Sequence, residues 1–107
     1  MPLELSDSRK EELITIMSKE LVVLRAKSGV SQDELSKGVG LSRQTYQAIE
    51  SGKRRMTWRT YLAVLLFFDY NPLTHDMLRS LNVFPAEFLN AKQLLSEVAN
   101  YTADRDK

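Results

Sequence analysis

The sequence predicts an all-α fold of five helices, with an extended first helix and an additional helix at the C-terminal end. Helix start and stop signals recur along the whole chain. No segment alternates apolar and polar residues over several positions, as a half-buried strand would. All four glycines lie near predicted helix ends and none in a helix middle, which is typical of helices joined by tight corners. The length of 107 residues suits one domain.

Composition excludes several classes of site. The chain has no cysteine, which excludes disulfides, thiolate catalysis and zinc fingers. One histidine, His75, does not make a histidine-rich metal site, so we expect no metal and no cofactor. The longest apolar run, residues 61–68, has eight residues, whereas a membrane-spanning helix needs about 20. Residues 1–10 show no secretory signal, and we therefore expect a cytoplasmic protein with no membrane partner.

The first two helices are predicted from capping residues and apolar spacing. Ser6 or Ser8 is expected to cap a helix that runs to about Lys27 and closes at Gly29. Its apolar stripe has helical spacing and consists of Leu13, Met17, Leu21 and Leu24. Ser31 with Glu34 three residues later predicts a capping box at the start of a short second helix.

Four further helices are expected. Ser42 caps a third, from Arg43 to Glu50 or Ser51, which Gly52 closes. Thr57 caps a fourth that carries the apolar run. Asn71 and Pro72 predict the start of a fifth helix that ends near Ser80. Pro85 is expected to start a sixth, with one apolar face formed by Phe84, Phe88, Ala91, Leu95 and Val98.

Positive charge is concentrated in residues 42–60, although the whole chain has a net charge of only +1. The basic residues of this segment are Arg43, Lys53, Arg54, Arg55 and Arg59, against Glu50 as the acidic one. The flanking segments are mildly acidic. The distribution favours a surface for an anionic partner, with a solvated loop as the alternative from charge alone.

Residues 31–55 have the organisation of a helix-turn-helix, in which two short helices are joined by a tight turn containing glycine. Leu35, Val39, Tyr46 and Ile49 supply apolar contacts between the two helices. That packing leaves Arg43, Gln44 and Gln47 exposed. Arginine and glutamine can form bidentate hydrogen bonds with guanine and adenine.

The segment from about Leu21 to Pro72 resembles the helix-turn-helix domain of the XRE family, the type found in phage lambda repressor and Cro. The resemblance is carried by LRAKSGVSQDELS at 24–36, GLSRQT at 40–45 and IESGKR at 49–54. It implies a lambda-repressor-like domain that binds double-stranded DNA. The third helix would then lie in the major groove.

The resemblance also implies residue roles. Base contacts fall on Arg43, Gln44, Gln47 and Ala48. Phosphate contacts fall on Gln32, Ser42, Thr45, Lys53, Arg54 and Arg55. Arg25 and Glu50 match positions that form a structural ion pair. Gly38, Tyr46 and Ala48 depart from the common pattern, because a helix former, an aliphatic residue and a longer side chain are more usual there.

We expect three parts in the chain: an extension of the first helix at 1–20, the DNA-binding domain at 21–81, and a C-terminal helix and tail at 82–107. The apolar surfaces of the first and last helices favour a homodimer, with Phe84, Phe88, Leu95 and Val98 at its interface. A monomer whose core these residues complete is the alternative.

The predicted function is a dimeric transcriptional repressor that reads a two-fold symmetric operator. The alternative is an antitoxin or adaptor whose C-terminal helix binds a protein partner, with DNA binding secondary. An enzyme has no support in the sequence, because no nucleophile–base pair or phosphate loop is evident.

Overall fold

A computed structural model of the chain describes residues 5–87, and these form five α-helices. They are α1 (Asp7–Ser28), α2 (Gln32–Gly38), α3 (Arg43–Glu50), α4 (Trp58–Tyr70) and α5 (His75–Ser80). Residues 5–87 contain no strand, so the predicted all-α class is confirmed. No helix among them is both long enough and apolar enough to cross a bilayer. The sixth helix predicted from Pro85 onwards lies mostly outside the described residues.

Side-chain caps fix where four of the helices begin. Ser6, Ser42 and Thr57 each accept a hydrogen bond from the backbone N–H three residues later, at 3.1–3.2 Å. Ser31 and Glu34 form the complete capping box predicted for α2. Such caps satisfy backbone donors that have no partner inside the helix. At the other end of α1, Gly29 has a φ of 76°, a conformation that favours glycine.

The prediction for the fifth helix is wrong at its start. We expected the helix to begin at Pro72, but α5 begins at His75. Asn71 does act as a cap, because its backbone is extended, its side chain accepts a hydrogen bond from the N–H of Leu73 at 2.8 Å and its carbonyl accepts from the N–H of His75 at 2.9 Å. The cap opens a single turn, however, and the regular helix starts only after it. Thr74 is fully buried and its hydroxyl donates to the carbonyl of Phe68 at 2.8 Å. This bond closes the corner between α4 and α5.

A single hydrophobic core joins all five helices, and the first turns of α1 belong to it. Leu13, Met17 and Leu21 are completely buried in the same cluster as residues of α2, α3 and α4. Other members of this core are Leu24, Leu35, Tyr46, Tyr61, Phe68, Leu78 and Val83. The α1 segment predicted as an extension is therefore packed as deeply as the helix-turn-helix itself.

The chain after α5 returns to α1 and α4. The hydroxyl of Tyr61 donates a hydrogen bond to the carbonyl of Val83, and Glu87 pairs with Arg9 at 3.6 Å. Lys10 lies 5.8 Å from the centre of the Trp58 ring, within the range of a cation–π contact. Residues 83–87 therefore close the domain against its N-terminal end.

Gly38 has a packing role in the structure. A Cβ atom at this position would lie 3.1 Å from Cε2 of Phe67, closer than ordinary van der Waals contact. Glycine is the least favourable residue in a helix apart from proline, at about 1 kcal/mol relative to alanine. Its presence at the end of α2 lets the ring of Phe67 pack directly on the helix backbone.

Candidate nucleic-acid interface

Helix α3 is buried on one face and exposed on the other. Tyr46 is completely buried and Ile49 is 4% exposed, and both belong to the core that α1 shares. Arg43, Gln44 and Gln47 are exposed, whereas Ala48 is only half-buried. Because the buried face fixes the rotation of the helix, the side chains predicted to contact bases all lie on its accessible side.

Three of the residues predicted to contact phosphates lie at helix starts: Ser42 and Thr45 at α3, and Gln32 at α2. The hydroxyls of Ser42 and Thr45 are joined by a hydrogen bond of 2.9 Å, and Ser42 also caps α3. Gln32 is the first residue of α2 and is half-buried. These three residues lie at the starts of the two helices of the motif, where backbone N–H groups favour a bound anion.

An open depression runs along the accessible side of α3 into the following loop. It is lined by four polar residues and one alanine, namely Gln44, Gln47, Ala48, Ser51 and Lys53. The backbone N–H groups of Lys53 and Arg54 both donate to the carbonyl of Ala48, at 2.9 and 3.1 Å. The loop thus folds back on the helix end, and it brings a lysine next to the two glutamines.

Arg55 lies apart from the other loop cations. Its guanidinium pairs with the carboxylate of Glu11 and donates to the Glu11 carbonyl at 2.8 Å and to the Thr15 hydroxyl at 2.9 Å. Lys53 and Arg54 are exposed and form no ion pair with another described residue. All three predicted loop contacts are therefore at the surface, but the Arg55 side chain, 47% exposed, is bonded to α1.

Arg25 and Glu50 form a bidentate ion pair between α1 and α3. Nε of Arg25 lies 2.9 Å from Oε2 of Glu50, and Nη2 lies 2.9 Å from Oε1. The Glu50 side chain is only 6% exposed and that of Arg25 is 22% exposed. Charge-assisted bonds in this paired geometry are short and directional, so they hold α3 in a defined position on α1.

The pKa of Glu50 depends on its buried neighbours. Burial alone raises the pKa of this carboxyl, but the hydrogen bonds and positive charge of Arg25, with the Tyr46 hydroxyl close by, outweigh burial and lower it. Burial and the neighbouring Glu50 charge raise the pKa of the Tyr46 hydroxyl. That hydroxyl is buried and has no hydrogen-bond partner among the described residues, and its raised pKa keeps it neutral.

We expect the free energy of unfolding to fall at acid pH partly through Glu50. Its folded pKa lies below the usual value, so the unfolded state binds the proton more readily. The stabilisation is present above the unfolded pKa of about 4.3 and is lost as the pH falls through the folded pKa. Urea unfolding of the unaltered protein and of Glu50→Gln between pH 7 and pH 3 measures this. The variant is expected to be less stable at pH 7 and to lose less on acidification; equal losses would contradict the assignment.

Several residues at this site are not evident from the sequence pattern. Glu11 and Thr15 precede Arg55 by 44 and 40 positions, and nothing in the spacing connects them. Gln32 is predicted as a phosphate contact, but its contribution to the lowered pKa of Glu50 is not evident from the sequence.

Of the residues predicted at a dimer interface, Phe84 is half-buried and stacks under the Arg79 guanidinium at 3.9 Å. Phe88, Leu95 and Val98 lie outside the described residues.

Within residues 5–87, no group of three or more histidine or acidic side chains lies close enough together to hold a metal ion. The accessible side of α3 and its adjoining loop offer hydrogen-bond donors, hydrogen-bond acceptors and positive charge. This is the chemistry that recognises base edges and phosphates.

A comparison with family models matches residues 23–72 to the family described as Helix-turn-helix. No curated protein and no solved structure matches the chain. The matched segment runs from the second half of α1 to the end of α4 and includes both helices of the motif and the basic loop. The chain therefore carries, over residues 23–72, an XRE-type helix-turn-helix domain, the DNA-binding module of a family of transcription regulators.

Proposed function

We propose that the protein is a homodimeric repressor that reads a two-fold symmetric DNA operator through α3. The observation that carries the proposal is the accessible side of this helix. Gln44 and Gln47 line one depression with Lys53, so groups suited to base edges and to a phosphate share one surface. The Arg25–Glu50 pair and the buried Tyr46 keep that surface in a fixed orientation, as direct readout in the major groove requires.

Two kinds of contact support specificity and affinity separately. Arg43, Gln44 and Gln47 would read bases, and the methyl group of Ala48 suits contact with a thymine methyl. Lys53 and Arg54 would bind phosphates, as would the starts of α2 and α3 at Gln32, Ser42 and Thr45. Phosphate contacts give affinity without sequence information, whereas base contacts select the sequence.

A homodimer would place two copies of α3 about one DNA turn apart. Val22 and Val23 are each 51% exposed on α1, the helix predicted to contribute to dimerisation. Segment 88–107, outside the described residues, contains the remaining predicted interface residues Phe88, Leu95 and Val98. We propose that this segment and α1 of one copy pack against those of a second copy. Repression by blocking access to DNA needs no further domain.

Selection from a library of random duplexes near physiological salt tests the proposal. The unaltered protein is expected to enrich an inverted repeat whose half-sites lie about 10 base pairs apart or a multiple of that. Enrichment of a single half-site would contradict the dimer. No enrichment at all would contradict sequence-specific binding and favour the alternative of an antitoxin or adaptor.

Two variants separate base contacts from phosphate contacts. Gln44→Ala is expected to relax the preference at one base pair per half-site by about 1–3 kcal/mol. Lys53→Ala is expected to weaken binding to all duplexes about equally and to flatten the dependence of affinity on salt. Titration of selected and scrambled duplexes at three salt concentrations measures both effects. The same loss of selectivity in the two variants would show that these roles are wrongly assigned.

A further inference from the structure

The loop between α3 and α4 is attached to the beginning of α1 through Arg55. The guanidinium reaches three acceptors that lie within one turn and belong to two residues: the Glu11 carboxylate, the Glu11 carbonyl and the Thr15 hydroxyl. The Thr15 hydroxyl in turn donates to the same Glu11 carbonyl at 2.9 Å. Two of the three acceptors are uncharged and are fixed by the helix itself.

The loop is also held on either side of its two exposed cations. Before them, Gly52 adopts a φ of 82° and allows the chain to turn back, and the N–H groups of Lys53 and Arg54 bond to the Ala48 carbonyl. After them, Arg55 is bonded to α1 and Met56 is only 3% exposed. Lys53 and Arg54 therefore project from a short segment fixed at both ends.

We propose that Glu11 and Thr15 hold Arg55 as a positioning residue, which presents Lys53 and Arg54 to the DNA backbone without contacting a phosphate itself. This inference rests on the proposed DNA binding. Both holding residues lie before residue 23, where the helix-turn-helix match begins. The first turns of α1 thereby take part in shaping the DNA-binding surface.

A competing arrangement makes an opposite prediction. If Glu11 only occupied Arg55 until a phosphate displaced it, removing the carboxylate charge would release the arginine and tighten DNA binding. The two uncharged acceptors argue against this, because a phosphate would have to replace them as well as the carboxylate. An anchored loop, by contrast, loses less conformational entropy when it binds.

The first experiment uses the free protein, so its outcome does not depend on DNA binding. Amide hydrogen exchange at Lys53 and Arg54, followed by NMR, is compared in the unaltered protein, in Glu11→Gln and in Glu12→Gln. Glu12 is the matched control, because it is the adjacent acid and pairs with Arg9 instead. We expect exchange at both amides to be about threefold faster in Glu11→Gln, as for loss of a modest surface pair. No difference between the two variants would overturn the proposal.

The second experiment measures affinity for a 20-base-pair duplex as a function of salt. We expect Glu11→Gln and Arg55→Gln each to weaken binding about three- to fivefold, and the double variant to weaken it no further. The slope of log affinity against log salt concentration should be the same in the two single variants and the double variant as in the unaltered protein. A slope lowered by about 0.9 in Arg55→Gln would mean a direct phosphate contact, and tighter binding by Glu11→Gln would mean competition; either overturns the proposal. If the unaltered protein bound no duplex, the proposed function would fail, while the exchange experiment would still decide the role of Glu11.

Discussion

Replacing Arg25 with methionine is expected to lower the free energy of unfolding by about 3 kcal/mol. The change leaves the Glu50 carboxylate, whose side chain is 6% exposed, without its bidentate partner, and breaking a buried pair from one side typically costs about 3–5 kcal/mol. We take the lower end because Arg25 itself is 22% exposed. For a domain of this size the melting temperature should fall by about 15 °C. Thermal unfolding followed by circular dichroism measures it.

Two further variants show whether the effect belongs to the buried pair. Arg79 also forms a bidentate contact, with Asp69 at 3.1 Å, but its side chain is 52% exposed. Arg79→Met is therefore expected to cost less than about 1 kcal/mol. The double variant Arg25→Met/Glu50→Met removes both charges and should be more stable than Arg25→Met alone. An unchanged melting temperature for Arg25→Met would show that the pair does not hold α3 on α1.

Replacing Leu13 with alanine is expected to destabilise the entire domain by about 3 kcal/mol. Leu13 is completely buried in the core that also contains Tyr46 of α3 and Val83. Truncating a buried leucine typically costs about 2–5 kcal/mol, through lost transfer energy and the cavity left behind. Urea unfolding, followed by fluorescence of Trp58 and by circular dichroism, measures the change.

Lys19→Ala is the control for this prediction, since Lys19 is exposed on the same helix and the change should stay within about 0.5 kcal/mol. A single transition with both probes is expected in every variant. If Leu13→Ala melted α1 alone and left the transition of the remaining helices in place, the first turns of α1 would form a separate unit. The two segments would then unfold separately at the predicted boundary at residue 20, and not together as their shared core implies.

Local signals account for the parts of the fold that the sequence predicts well. Ser6, Ser31, Ser42 and Thr57 each act within three residues of themselves, so their capping roles can be read without tertiary information. The start of α5 is not predicted correctly, because it depends on tertiary packing that the local signals do not contain. Asn71 caps a turn as its local pattern predicts, but Thr74 is buried and bonded to Phe68, and the regular helix begins only at His75. Tertiary burial outweighs the local preference there.

The candidate site divides in a similar way. The exposed side chains of α3 follow from helical periodicity once Tyr46 and Ile49 are placed in the core. The Arg25–Glu50 pair is expected only through the family resemblance, because the two residues are 25 positions apart. The attachment of Arg55 to Glu11 is predicted neither by helical periodicity nor by the family resemblance. It depends on how the start of α1 crosses the loop, and no short-range pattern contains that information.

The contact between Tyr61 and Val83 has a consequence for the order of folding during synthesis. Most neighbours of each helix are close in sequence, and a topology of this kind folds rapidly once complete. The apolar stripe of α1 is nevertheless translated first, and Val83, which belongs to the same core, follows about 60 residues later. At a translation rate of about 5–20 residues per second, the core around that stripe stays incomplete for several seconds. Chaperone binding to nascent chains stalled with residue 83 still inside, or already outside, the ribosomal exit tunnel would show whether the stripe stays accessible until that residue emerges.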